Sequence, residues 1–156
     1  MPTPEQLIRD AYGFDFPPDF FPFREFLAAL PRNLLDDALE IHSAYPFKAA
    51  DGKQPRDHPN RPHWEDRYYN DPPEFVTILH GRTDGLHWGY YFDDPATSRA
   101  VVASFYSNDA FQFSIDGDSL FEAVRMSVEY AERDFQNFLE DEPDEKKYYE
   151  KKLKQL

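Results

Sequence analysis

At 156 residues, with 40% apolar and 17% aromatic side chains, the chain has the length of one ordinary domain and too much aromatic surface to remain unfolded. Its 30 acidic against 17 basic side chains give a formal net charge of -13. That charge repels a phosphate backbone, which argues against nucleic acid as a partner, and attracts a basic protein surface.

Cysteine is absent, so disulfides, thiolate zinc sites and cysteine nucleophiles are excluded together. The polar opening Met1-Pro2-Thr3-Pro4-Glu5-Gln6 shows neither the basic nor the apolar region of a signal peptide. No apolar run approaches the roughly 20 residues of a spanning helix, and a cytoplasmic protein with no membrane partner is expected.

Thr3 is placed to cap a first helix, with Pro4 in the first turn and Gln6 completing a capping box; the helix should stop at Tyr12-Gly13. The stiff connector Phe14-Asp15-Phe16-Pro17-Pro18-Asp19 leads to a second helix, in which Phe20, Phe23, Phe26, Leu27 and Leu30 recur at helical spacing until Pro31. Residues 33–38 suit a third short helix, and from Leu39 to Phe47 the pattern drifts towards strand. Residues 49–62 are almost devoid of apolar side chains and read as a long surface loop.

The β region follows. Residues 74–79 and 86–92 are strand-like and are separated by the turn Gly81-Arg82-Thr83-Asp84-Gly85, so they form a hairpin. Residues 100–106 and 111–115 add two strands around the turn Ser107-Asn108-Asp109, completing an antiparallel meander. Ser119 with Glu122 matches a capping box for the longest helix, whose stripe Leu120, Phe121, Val124, Val128, Ala131, Phe135, Phe138 and Leu139 should pack across the sheet. Residues 140–156 carry mixed charge and read as a solvated helix or frayed end. The expected fold is a single α+β domain over residues 1–139, with four to five antiparallel strands against N-terminal helices and one long C-terminal helix, followed by the charged tail 140–156.

Reactive constellations are weak. Of the five histidines, His58 and His63 match no common metal spacing, while His80 and His87 flank the hairpin turn and can approach across two strands without a carboxylate triad nearby. Asp36-Asp37 and Asp93-Asp94 are adjacent in sequence, which directs their side chains apart, and Asp94 before Pro95 suits a turn. Ser104, Ser107 and Ser114 have no suggested histidine partner, and no Gly-rich phosphate loop is present. No catalytic residue, metal ligand or cofactor is expected.

The stretches from Trp64 to Phe75 and from His87 to Pro95 stand out instead as aromatic and proline-rich. Strand alternation puts Trp88, Tyr90 and Phe92 on one face and His87, Gly89 and Tyr91 on the other; one set must be core, and the other, if exposed, is a binding surface. The candidate binding residues are Trp64, Tyr68, Asp71, Glu74, His87, Trp88, Tyr91, Asp93 and Asp94.

Three stretches carry a resemblance. Asp71-Pro72-Pro73-Glu74-Phe75-Val76-Thr77-Ile78, then His87-Trp88-Gly89-Tyr90 with Asp94-Pro95, then Gly117-Asp118-Ser119-Leu120-Phe121-Glu122-Ala123-Val124 resemble the histone PARylation factor family. Upstream, residues 12–20 with Phe26 resemble that family's opening helical segment, and the likeness runs in order over roughly residues 5–130. Small bacterial members of this type are described as ADP-ribosylation family proteins. The resemblance implies an accessory protein that docks on an ADP-ribosyltransferase. The eukaryotic members complete the partner's active site with a glutamate from a C-terminal helical half. Neither that glutamate nor the zinc-finger segment has a counterpart in these 156 residues, so the glutamate's role is not carried over.

A looser similarity, on Phe16-Pro17-Pro18-Asp19-Phe20, Phe23 and Phe26-Leu27, is to the SUKH superfamily of bacterial immunity proteins, and it implies a toxin as the alternative partner. A third reading is an enzyme handling ADP-ribose or another nucleotide through His87 and the acids that follow it. The preferred expectation is a non-catalytic module that binds a protein with a basic surface.

Overall fold

Both halves of the first capping box are made. Thr3 Oγ1 accepts the Gln6 backbone N–H at 3.3 Å, and Gln6 Oε1 accepts the Thr3 N–H at 2.8 Å, starting α1 (Pro4–Tyr12). Gly13, at φ 84°, ends the helix by donating its N–H to the Arg9 carbonyl, a left-handed position that costs glycine little. Helix α2 (Phe20–Ala29) buries Phe20, Phe23 and Leu27, and a π-helical turn follows at Asn33–Leu39. The computed structural model describes residues 1–82, 84–97, 99–108 and 112–156. Thr83, Asp109 and Phe111, which the sequence pattern puts in two turns and at a strand start, lie outside the described residues.

Strands β1 (His42–Ser43), β2 (Phe75–His80), β3 (Leu86–Asp94), β4 (Arg99–Tyr106) and β5 (Gln112–Gly117) form one antiparallel meander in chain order. The strand character expected from Leu39 to Phe47 survives only in β1. Pro46 suits the first turn of a helix, and α3 (Tyr45–Ala49) takes over. In β2 the register steps from Thr77 opposite Gly89 to Leu79 opposite Trp88, so Ile78 is the extra residue of a bulge. Ile78 and Leu79 both enter the core, and His80 arrives opposite His87. Gly89 is required here, because a Cβ at this position would lie 2.0 Å from the Val76 carbonyl oxygen.

The helix-side core gathers Ile8, Tyr12, Phe16, Phe20, Phe23, Ile78, Trp88, Tyr90, Phe92, Val102, Leu120 and Val124. Its rings meet edge-on or tilted: Phe16 on Phe20 at 5.1 Å, Phe14 on Phe92 at 4.9 Å and Phe23 on Phe121 at 5.3 Å between centroids. Trp88, a candidate binding residue from the sequence, is 9% exposed within this core. Its place beside Tyr90 and Phe92 follows from the alternation, and the helices close over that face.

The long helix α4 (Leu120–Asp141) begins differently from expectation. Ser119 Oγ accepts the Phe121 N–H at 3.3 Å, but Glu122 turns outward to Arg125 at 2.8 Å instead of closing a box. The Leu120 N–H donates to Asp19 Oδ2 at 3.0 Å, across a sequence separation of 101 residues, while Asp19 Oδ1 accepts the Tyr90 hydroxyl at 2.8 Å. Burial and then the Asp19 charge push the Tyr90 phenol far above its ordinary value, so this hydroxyl keeps the proton that it shares with Asp19.

The apolar stripe of α4 also divides. Leu120, Ala123 and Val124 are buried at its start, whereas Phe138 stacks on Tyr149 at 5.0 Å. The tail, expected as a solvated helix or frayed end, forms a helix, α5 (Lys146–Leu153), and folds back because the far half of α4 still has rings to cover. Lys152 is 7% exposed and donates to the Asp37 carbonyl, with Glu40 Oε1 at 3.4 Å. Among the described residues no helix is long and apolar enough to cross a membrane.

Asp19 therefore joins the entry to α2, the centre of β3 and the start of α4. Asp19→Ala is expected to lower unfolding free energy by about 2 kcal/mol, since it removes a helix cap and leaves a buried hydroxyl without an acceptor. Asp19→Asn, which retains one acceptor oxygen, should lose less. Urea titrations followed by circular dichroism distinguish the two, and equal stability of Asp19→Ala and the parent would overturn this role.

Candidate binding surface

The outer face of the sheet is covered by a loop held in place by its own polar side chains. Glu65, 7% exposed, accepts the backbone N–H groups of Arg56, Asp57 and His58 at 3.0 Å each, pinning the polar stretch before it. Arg67 donates to the carbonyls of Asp71 and Pro72 at 2.8 and 2.7 Å and to those of Pro73 and Phe75 at 3.3 Å. Two consecutive prolines offer no N–H for a turn, and this guanidinium collects the carbonyls they leave.

The loop delivers Asp71 to His87. His87 is fully buried, and its Nε2 lies 2.9 Å from Asp71 Oδ1 while its Nδ1 donates to the Gly85 carbonyl at 2.7 Å. A carbonyl can only accept, so Nδ1 bears a proton, and one further proton sits between Nε2 and Oδ1. Asp71 Oδ2 accepts the Tyr68 N–H at 2.9 Å, with the Thr77 hydroxyl at 3.5 Å. The Tyr68 ring stacks on the imidazole at 4.2 Å, and Phe75 and Phe105 close its other sides at 5.4 and 5.9 Å. Every polar atom of this pair is occupied and covered.

His80 stands opposite His87, as the hairpin spacing suggests, but is held separately. Its Nδ1 is 3.4 Å from the Tyr68 hydroxyl and its Nε2 is 3.7 Å from Asp66. Burial would raise the Asp66 carboxyl; the nearby His80 first, then the Tyr45 main chain and the Lys48 charge, together outweigh this and hold it below the usual carboxylate range. Among the described residues, no group of three His, Asp or Glu side chains is arranged around a metal position.

The nine candidate residues thus separate by depth. Tyr68, Asp71 and His87 form the sealed lock, and Trp88 belongs to the core. Trp64 is 47% exposed, with the Arg61 guanidinium 4.9 Å above its ring. Glu74, Asp93 and Asp94 are exposed, and Asp94 Oδ1 accepts the Ala96 N–H at 3.0 Å as a turn former. Tyr91 lies at the sheet surface, edge-on to Phe113 at 5.5 Å.

Tyr91 and Asp93 border an apolar groove of about 710 Å³ with Pro17, Val101 and Ile115, edged by Asp19 and Asp118 and by Arg99. Ile115 is 65% exposed, which adds an aliphatic side chain to this aromatic surface. The sequence reading missed Glu65, Arg67 and Ile115. The first two bind main-chain groups that carry no sequence pattern, and Ile115 follows only from knowing that this sheet face is open at β5.

Fold and surface define a single-domain α+β protein whose five-stranded meander is sealed on its helical face and partly open on the other. The chain belongs to the histone PARylation factor 1 family. A family model described as Histone PARylation factor 1 matches residues 3–156. The chain is 30% identical over 126 residues to Histone PARylation factor 1 of Danio rerio, covering 75% of this chain and 35% of that protein. It is 30% identical over 132 residues to the Mus musculus protein of the same name, covering 76% and 37%. The chain thus spans little more than a third of the length of these curated relatives.

Asp71→Ala leaves a buried imidazole without its partner and is expected to cost about 3 kcal/mol, the range for breaking a buried pair. The exposed Glu74→Ala should leave stability unchanged. Guanidinium unfolding of both variants checks this, and an Asp71→Ala midpoint equal to that of Glu74→Ala would remove the lock.

Proposed function

We propose that this chain is a non-catalytic protein-binding module that serves as an accessory factor in ADP-ribosylation, with an ADP-ribosyltransferase as its partner. Family membership across residues 3–156 carries the reading. The surface supports it: the exposed ring of Trp64, the half-buried ring of Tyr91 and the groove beside it offer rigid apolar contact area, and nearby carboxylates suit a basic partner. The non-catalytic part rests on His87, which the nucleotide-handling reading of the sequence needed beside the acids that follow it. Its imidazole is enclosed by Asp71, Tyr68, Phe75 and Phe105, out of reach of a substrate.

Tagged protein should capture an ADP-ribosyltransferase from its own source and change the rate or the acceptor choice of that enzyme. The chain alone should leave NAD and ADP-ribose unchanged. Trp64→Ala and Tyr91→Ala should each weaken capture about fivefold or more, the loss of roughly 1 kcal/mol expected when an aromatic anchor is truncated. Turnover of NAD by the chain alone, or capture unaltered in both variants, overturns the reading.

A further inference from the structure

A second groove, of about 830 Å³, lies on the helical side between α4 and the β4–β5 end of the sheet. Its lining includes the buried Trp88, Ser104 and Phe135 and the more exposed Tyr106, Tyr130 and Asp116. Alternation and a bulge together set Asp116. Ser114, opposite Ser104, faces the helices and Ile115 faces outward, so Asp116 turns back towards α4; because Val102 pairs with Gly117 and Ala103 with Ile115, it is also the extra residue of β5.

The charges in this groove are unequally satisfied. Arg82 is engaged by Glu40 at 3.3 Å, and Arg133 by Asp134 at 3.7 Å while lying 5.0 Å over the Tyr130 ring. These are the only basic side chains on its lining, and both have partners. Asp116 Oδ2 is buried and has no hydrogen-bond partner among the described residues. Burial raises its carboxyl above the ordinary range, the Ser104 hydroxyl offsetting this only in part. The Tyr106 phenol, which lines the same groove, is also pushed up, by burial first and by the Asp116 charge next. A half-buried carboxylate without a counter-charge, in a groove lined by tyrosine rings, is complementary to a cation with a flat apolar face.

We propose that this groove receives an arginine side chain of the protein partner, with Asp116 as its counter-charge and the Tyr106 and Tyr130 rings as its walls. The inference rests on the protein-binding reading above and names a contact for it. A second copy of this chain is a poor occupant, since two molecules of net charge -13 repel.

The probes are two blocked tripeptides, Gly-Arg-Gly and its uncharged citrulline counterpart, titrated into the full chain while backbone amide resonances are followed. The arginine peptide should give saturable shifts centred on Ser104, Ser114 and Tyr130, with a Kd at least tenfold below that of the citrulline peptide. Asp116→Asn should abolish that preference. Equal Kd values for the two peptides, shifts centred elsewhere, or a preference retained in Asp116→Asn overturns the proposal.

Thermal melts supply the fold control. A carboxyl whose pKa is raised on folding destabilises the native state above that pKa and ceases to do so as pH falls below the unfolded value. Asp116→Asn should therefore melt higher than the parent at pH 7, with the gain shrinking on acidification. A lower midpoint at pH 7 would mean the carboxylate is structurally paired, and would also overturn the proposal. Lost arginine preference with transferase capture intact sinks the groove alone; intact preference without capture sinks only the transferase reading.

Discussion

Strand β3 is buried on both faces, and the rest of the molecule is arranged around that constraint. Trp88, Tyr90 and Phe92 point into the helices, while His87 and Gly89 point into the opposite layer. A polar atom in such a strand must be given a partner or it costs folding free energy of a few kcal/mol. Two of its side chains that carry polar atoms have no exposed surface, His87 and Tyr90. Each is met by a carboxylate from a distant segment: Asp71 on one side and Asp19 on the other. Satisfying His87 fixes the approach to β2. Satisfying Tyr90 fixes the entry to α2 and, through the second oxygen of Asp19, the first turn of α4.

This arrangement explains which parts of the fold were legible in the sequence. Contacts closed within a few residues were readable, because the pattern and the partner share one window: the Thr3–Gln6 box, the Gly13 stop and the β2–β3 hairpin with His80 opposite His87. At the start of α4 the Ser119 cap was legible, but the Glu122 half of its box was misread for the opposite reason. Ser119 and Glu122 have the right spacing, but the acceptor for the Leu120 N–H comes from residue 19, and no local pattern records it. The outer face of β3 was ambiguous on the same grounds. What covers it is a proline-rich loop held by Glu65 and Arg67 on main-chain groups, which has no apolar periodicity to announce it.

The candidate site was legible as a neighbourhood and not residue by residue. The aromatic, proline-rich stretches do hold the buried lock and the surface rings, but side-chain depth separates them. Trp64 and Tyr91 remain at the surface, Trp88 is absorbed into the core, and Asp71 with His87 holds the loop to the sheet. Asp116 escaped notice altogether. The fourth strand was expected to stop at Ile115; β5 instead runs on to Gly117, and that extra length carries the alternation to Asp116 and directs it inward with Ser114.

The net charge of -13 is also less uniform in its use than a count suggests. Glu65 is bound by three main-chain N–H groups, Asp71 by His87, Asp19 by Tyr90 and the α4 start, and Glu40 by Arg82 and Lys152. These carboxylates hold the fold together and contribute little that an incoming molecule could meet. Asp116 differs: it is half-buried, its Oδ2 is enclosed without a partner among the described residues, and the Ser104 hydroxyl offsets its desolvation only in part. A sequence otherwise consistent with its fold tends to break a local rule where function requires it, and an uncompensated charge is tolerated where a ligand supplies the other half. Long-range negative potential then brings a basic surface near, and the groove selects which of its side chains is seated.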